Sequence, residues 1–109
     1  AYCWGGNHDG EVGIGTRTPE VRDPTPVAGG RTYQAIFANG TYHTCALSSG
    51  TPYCWGSNRS GQLGIGSQDE PGVPTEVDLR NVTGSRTFVK IVMGQVHTCG
   101  VTDTGAVYC

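Results

Sequence analysis

The sequence predicts an all-β chain of two similar sheet-forming units, and three observations carry that expectation. The tetrad Tyr2-Cys3-Trp4-Gly5 returns 51 residues later as Tyr53-Cys54-Trp55-Gly56 and begins again at Tyr108-Cys109, the fixed-period self-similarity that marks a repeat architecture. Glycine fills 18 positions and proline 6, while charged residues make up only 15% of the chain. That balance suits many tight turns between short strands rather than long helices. Finally, two β-rich segments between Tyr42 and Trp55 flank Ser48-Ser49-Gly50-Thr51, a turn-forming cluster, which reads as a hairpin.

The remaining elements follow in chain order. Each tetrad is followed by a glycine ladder, Gly10, Gly13, Ile14 and Gly15 in the first copy and Gly61, Gly64, Ile65 and Gly66 in the second, as turns with positive φ require. Pro19, Pro24, Pro26, Pro71 and Pro74 confine their neighbourhoods to edges or loops. The outermost strand of each unit is therefore expected near Glu20 to Val27 and Glu76 to Leu79. Tyr33 to Phe37 and Phe88 to Met93 read as inner strands. His43-Thr44-Cys45 returns as His97-Thr98-Cys99, and the stretch from Val96 to Cys109 carries Asp103-Thr104-Gly105 at its centre, so the second copy also holds a hairpin. Approximate repeats run over 1–52 and 53–109 of one repeat region.

Tyr-Cys-Trp-Gly-x-Asn from Tyr53, Gly-Gln-Leu-Gly-Ile-Gly from Gly61, Phe-x-x-Ile from Phe88 and Gly-x-x-His-Thr-Cys from Gly94 together resemble the RCC1 repeat, over essentially the whole chain. The cysteines suggest a bacterial or extracellular subtype. The resemblance implies four-stranded β-propeller blades around an axis, here as a partial propeller or as one subunit of an oligomeric ring or filament.

With the first hairpin centred between Ser49 and Gly50, Cys45 lies opposite Cys54, within disulfide range. The second hairpin brings Cys99 near Cys109 in the same way. Cys3 is left as the odd cysteine, unpaired or available to another molecule. A zinc site is the competing reading, since His43, Cys45 and Cys54 in one copy and His97, Cys99 and Cys109 in the other are acceptable ligand types; the absence of a Cys-x-x-Cys knuckle counts against it. His43 and His97 are expected to pack near the propeller axis with ring nitrogens bonded to backbone, and Trp4 and Trp55 to be core aromatics.

No combination of nucleophile, acid and base stands out, so no catalytic residue is assigned and the chain is read as a non-enzyme. The ladders lack the Lys-Ser or Lys-Thr of a phosphate loop and the third glycine of a dinucleotide fingerprint, so no cofactor is expected. A formal charge of −2 from 9 acidic and 7 basic residues offers no basic face for nucleic acid. No apolar run reaches the roughly 20 residues of a membrane span. Asn39, Asn58 and Asn81 each begin an N-glycosylation pattern, although Asn58 also matches Asn7 in the repeat and has a competing structural role at a turn. Whether a secretion signal once preceded Ala1 stays open.

Five cysteines in a chain this short favour an oxidising, extracellular or cell-surface setting. The expected function is a structural, protein-binding module whose segments Arg17 to Gly30 and Ser67 to Gly84 contact partners. Two blades cannot close a ring, so their flanks call for neighbouring repeats or for copies of the chain joined head to tail as a ring, filament or tube. The alternative implied by the resemblance is a fragment of a full propeller acting as a guanine-nucleotide exchange or chromatin-type regulator.

Overall fold

In the computed structural model, which describes residues 1–39 and 41–109, nine strands form three antiparallel sheets. The first sheet pairs β1 (Tyr2–Gly6) with β2 (Glu20–Pro26). The second has four strands in the order β3 (Ala35–Phe37), β4 (His43–Ser48), β5 (Thr51–Gly56) and β6 (Thr75–Glu76). The third contains β7 (Phe88–Met93), β8 (Thr98–Thr102) and β9 (Val107–Tyr108). Among the described residues there is no helix, and hence none long and apolar enough to cross a membrane.

Sheet boundaries do not follow the sequence period. The four-stranded sheet takes β3, β4 and the start of β5 from 1–52 and the remainder from 53–109. The first sheet supplies the equivalents of β5 and β6, and the third supplies the equivalents of β3, β4 and β5. One complete blade therefore stands between two partial ones, and its outer strand belongs to the repeat after the one that provides its inner strands.

Turn chemistry sets the hairpins. Ser49 and Gly50 both have positive φ, at 50° and 79°, the backbone that matches a two-residue turn to strand twist, and Ser48 pairs with Thr51. In the second hairpin Gly105 takes φ 84° and donates to Thr102 O at 3.0 Å. The sixth strand is shorter than expected. Only Thr75 and Glu76 pair in register, because Pro71 and Pro74 restrict the approach; beyond them Val77 donates to Pro52 O and Asp78 to Gly64 O.

β4 and β5 are buried on both faces because a partial sheet covers each side of the complete one. Between the second and third sheets lie Leu47, Leu63, Phe88, Ile91 and Met93 around the Cys45 and Cys54 sulfurs. Between the first and second, Val27, Ala46 and Trp55 pack with Tyr33 and Cys3. Tyr33 meets Tyr53 edge-on at 6.4 Å between ring centroids, a favoured aromatic arrangement.

Candidate functional site

The chemistry-bearing residues gather along the seams between sheets. Each seam starts with a loop stapled by an asparagine. Asn7 Oδ1 accepts from Val12 N at 3.0 Å while its Nδ2 donates to Thr16 O at 2.9 Å. Asn58 Oδ1 accepts from Leu63 N at 3.0 Å, and its Nδ2 donates to Ser67 O and Asp69 O, both at 2.8 Å. Both asparagines are fully buried. With their amide hydrogens committed to carbonyls, these side chains hold the glycine ladder in one shape, as buried amides must to offset desolvation.

The Asn58 amide nitrogen is enclosed in the folded chain, which gives that residue the structural role at a turn that competes with its sequon. Asn81 is exposed, as is Asn39, whose sequon includes Gly40, a position outside the described residues.

The ladder receives an indole. Trp55 is 0% exposed, and its Nε1 donates to Glu11 O at 2.9 Å, an oxygen that also accepts from Thr44 Oγ1 at 2.9 Å. Gly13 has φ 78°, and a Cβ there would stand 2.6 Å from Trp55 Nε1, so glycine is required twice over. The backbone bond from Gly15 N to Gly72 O ties the loops of the two repeats together, and the bond from Gly56 N to Pro71 O holds the second loop against the end of β5. Around them Glu70 pairs with Arg17 at 3.2 Å and Arg59 at 3.1 Å, while Arg59 also reaches Asp9 at 3.1 Å. Burial alone would raise the Glu70 carboxyl, but the Asn58 N–H and the two guanidinium groups outweigh it and hold it below its usual value.

The equivalent seam on the other side is open. Gln62, Leu63, Gly64, Val96, Thr98 and Tyr108 help to line a cleft of about 480 Å³. A smaller groove of about 350 Å³ lies beside β1, edged by Tyr2, Trp4, Ile36 and Tyr42. Trp4 is 60% exposed, Tyr2 64% and Tyr42 58%, so Trp4 is not the core aromatic that its resemblance to Trp55 suggests. Among the described residues no ladder covers its ring. Aromatics clustered in this way at a surface are typical of protein contacts.

The two histidines also part company. His43 is buried, its Nε2 lies 3.0 Å from Thr98 Oγ1 and its Nδ1 lies 3.3 Å from Thr41 O. Burial, aided by the nearby charge of His97 and opposed by the Thr41 contact, lowers its pKa. His97 is exposed and folds over Gly94, where a Cβ would meet its ring at 2.2 Å.

Cys45 is bonded to Cys54 and Cys99 to Cys109, with Cα atoms 4.1 and 4.0 Å apart. The zinc reading is left without thiolate ligands in either hairpin. Cys3 carries a free, half-buried thiol, which burial pushes above its ordinary pKa against the opposing pull of the N-terminal ammonium. Among the described residues no group of three or more histidine, cysteine or carboxylate side chains could hold a metal ion.

Residues 49–101 match the family model described as the regulator of chromosome condensation (RCC1) repeat. Human probable E3 ubiquitin-protein ligase HERC4 is 30% identical over 109 residues, and human probable E3 ubiquitin-protein ligase HERC3 is 33% identical over 112. In both cases 98% of this chain is covered but only 10% of the relative, so the chain spans about a tenth of their length. Among solved structures, yeast RCC1 (Prp20) bound to Kap60 superposes with a TM-score of 0.79 at 23% identity, covering 98% of this chain and 27% of the other. Human WBSCR16 gives 0.74 at 20% identity, covering 97% and 27%. These structures establish the fold as part of a propeller of this kind.

Proposed function

Since this chain belongs to the RCC1 repeat family, we propose that it is a non-enzymatic, extracellular protein-interaction module that associates with copies of itself head to tail. The observation that carries the reading is the unmatched pair of flanks: β1 with its exposed Tyr2 and Trp4 at one end, and the open Gln62–Thr98 seam at the other. Unpaired strand edges and exposed aromatics are stabilised by a partner surface. Each flank has inside the same chain the counterpart of what the other lacks, which favours a copy of the chain, or a neighbouring repeat of a longer one, over an unrelated partner. A heterologous contact of this type closes into a ring or extends into a filament according to its rotation.

The extracellular setting is supported by two disulfides in a small chain, which persist in oxidising compartments and are rare in the cytosol. Catalysis by the ligase relatives gains no support, because the similarity covers only a tenth of their length. Exchange or chromatin-type regulation rests on the propeller likeness alone. The test is light scattering after size exclusion, followed by negative-stain electron microscopy of the purified oxidised chain. Rings, tubes or filaments are expected; a species of single-chain mass at about 100 µM would overturn self-association.

A further inference from the structure

The loops that meet between the two repeats are built from two kinds of residue. One kind recurs at the 51-residue offset: Asn7 and Asn58 staple their own loops, and Gly13 and Gly64 shape them. The other kind does not recur. Asp9, Arg59, Glu70 and Arg17 form one ionic chain, with Asp9 and Glu70 each 3.1 Å from Arg59 and Arg17 3.2 Å from Glu70. At the same offset Asp9 corresponds to Ser60 and Arg17 to Gln68, while Arg59 corresponds to His8 and Glu70 to Pro19. The first repeat thus contributes Asp9 and Arg17, the second Arg59 and Glu70, and neither repeat carries the other's charges.

Burial makes this chain selective. The Asp9 and Glu70 side chains are only 14% and 17% exposed, so each carboxylate has lost much of its hydration and depends on its cation. Glu70 also accepts from Ser57 Oγ and Asn58 N, and its backbone carbonyl accepts from Arg17. Two residues further on, Gly72 O accepts from Gly15 N, the backbone bond between the two loops. The Glu70 carboxylate therefore sets the place of the strip that makes the junction.

We infer that these four side chains are a charge code for the junction between loops. The Asp9–Arg17 side of one repeat fits a loop with arginine directly after its ladder asparagine and glutamate twelve residues after that asparagine. A loop with His8 and Pro19 in those places offers Asp9 no permanent cation and Arg17 no carboxylate. Attraction between partly exposed ions contributes little. Discrimination comes from the wrong neighbour, which strands a covered carboxylate or sets like charges face to face. All four residues lie inside the array, so the code acts whether or not its flanks associate, and it applies equally to a loop of this chain or of a second copy.

The test is amide hydrogen exchange, read by NMR in the 109-residue chain. The Gly15 amide reports the junction, and the Val12 and Leu63 amides, held by their own asparagines, report the ladders. Arg17→Glu, which turns a carboxylate toward Glu70, should lower Gly15 protection by at least about tenfold while Val12 and Leu63 keep theirs. In a Glu70→Gln background the same substitution should cost less than about threefold. Asp9→Ser with Arg17→Gln, which gives the first repeat the residues of the second, should lower Gly15 protection by at least about threefold. If Arg17→Glu does not fold, Arg17→Gln is carried through the same cycle, and its loss should vanish beside Gln at position 70. Unchanged Gly15 protection, a loss that Glu70→Gln does not relieve, or an equal loss at Val12 and Leu63 would each overturn the code.

Discussion

Trp55 and Trp4 occupy the same place in their repeats, so truncating each to alanine isolates what the seam contributes. Trp55→Ala removes a fully buried indole packed on Gly13, Ala46 and Tyr33. The hydrogen bond to Glu11 O goes with it, although that oxygen keeps the Thr44 hydroxyl and is not orphaned. The dominant loss is therefore transfer and cavity energy, about 3–5 kcal/mol for a buried aromatic. Against a total stability of about 5–15 kcal/mol for a domain, most of the margin disappears. Trp4 is 60% exposed, and its truncation should cost less than about 1 kcal/mol. Urea unfolding at low micromolar concentration, where association is minor, measures both. With a slope of about 1–2 kcal/mol per molar, the Trp55 variant should lose at least about 1.5 M in midpoint while Trp4→Ala moves by less than about 1 M. Losses equal within about 1 kcal/mol would refute the assignment of Trp55, and not Trp4, to a closed socket.

Further expectations follow from the same seam. Gly13→Ala meets both the Trp55 ring and a φ of 78°, and should approach the Trp55→Ala loss in the same urea experiment; a change under about 1 kcal/mol would mean the indole sits elsewhere. Asn58→Asp turns an amide that donates to two carbonyls into a carboxylate facing them, so thermal unfolding should show a loss of at least about 2 kcal/mol. Because burial lowers the His43 pKa in the folded chain, its stabilising contribution is complete above the unfolded value of about 6.5 and declines as pH falls below it. His43→Gln should flatten that acid limb in denaturant titrations across pH, and an unchanged limb would assign it to other groups. In a secreting eukaryotic host, any mass removed by glycosidase should map to Asn39 or Asn81; a glycan on Asn58 would contradict its burial.

Local chemistry made the hairpins legible. Ser49-Gly50 allows one tight turn, and a tight turn fixes register, so the apposition of Cys45 and Cys54 could be read from residue positions alone. The proline-limited outer strands were equally visible, though not how far the second would shorten. Trp4 and Trp55 mark the limit of that approach. Their neighbours in sequence are nearly the same, but burial of Trp55 depends on Glu11 and Gly13, more than forty residues away. Asn58 shows a related limit, since a sequon records three adjacent residues and not the carbonyls of Ser67 and Asp69. Its structural role was legible through Asn7, which occupies the same ladder position without a sequon and makes the same staple.

Blade phase was hidden for a deeper reason: a periodic sequence is unchanged by where each period is cut, and only strand pairing decides. The pairing found here has a functional consequence. Because a blade draws its outer strand from the following repeat, neighbouring units share a backbone seam built from glycine and peptide groups, such as Gly15 N to Gly72 O. The side chains committed to that seam include Asn7, Asn58, Thr44 and Trp55, with the ion pairs of Arg17, Arg59, Asp9 and Glu70 at its rim. The segments Arg17 to Gly30 and Ser67 to Gly84 differ in length and charge between the copies, and what they give to the frame is largely backbone carbonyls, those of Ser67, Asp69, Pro71 and Gly72, which tolerate a change of side chain. Under the proposed function, those segments are where partner choice would be encoded.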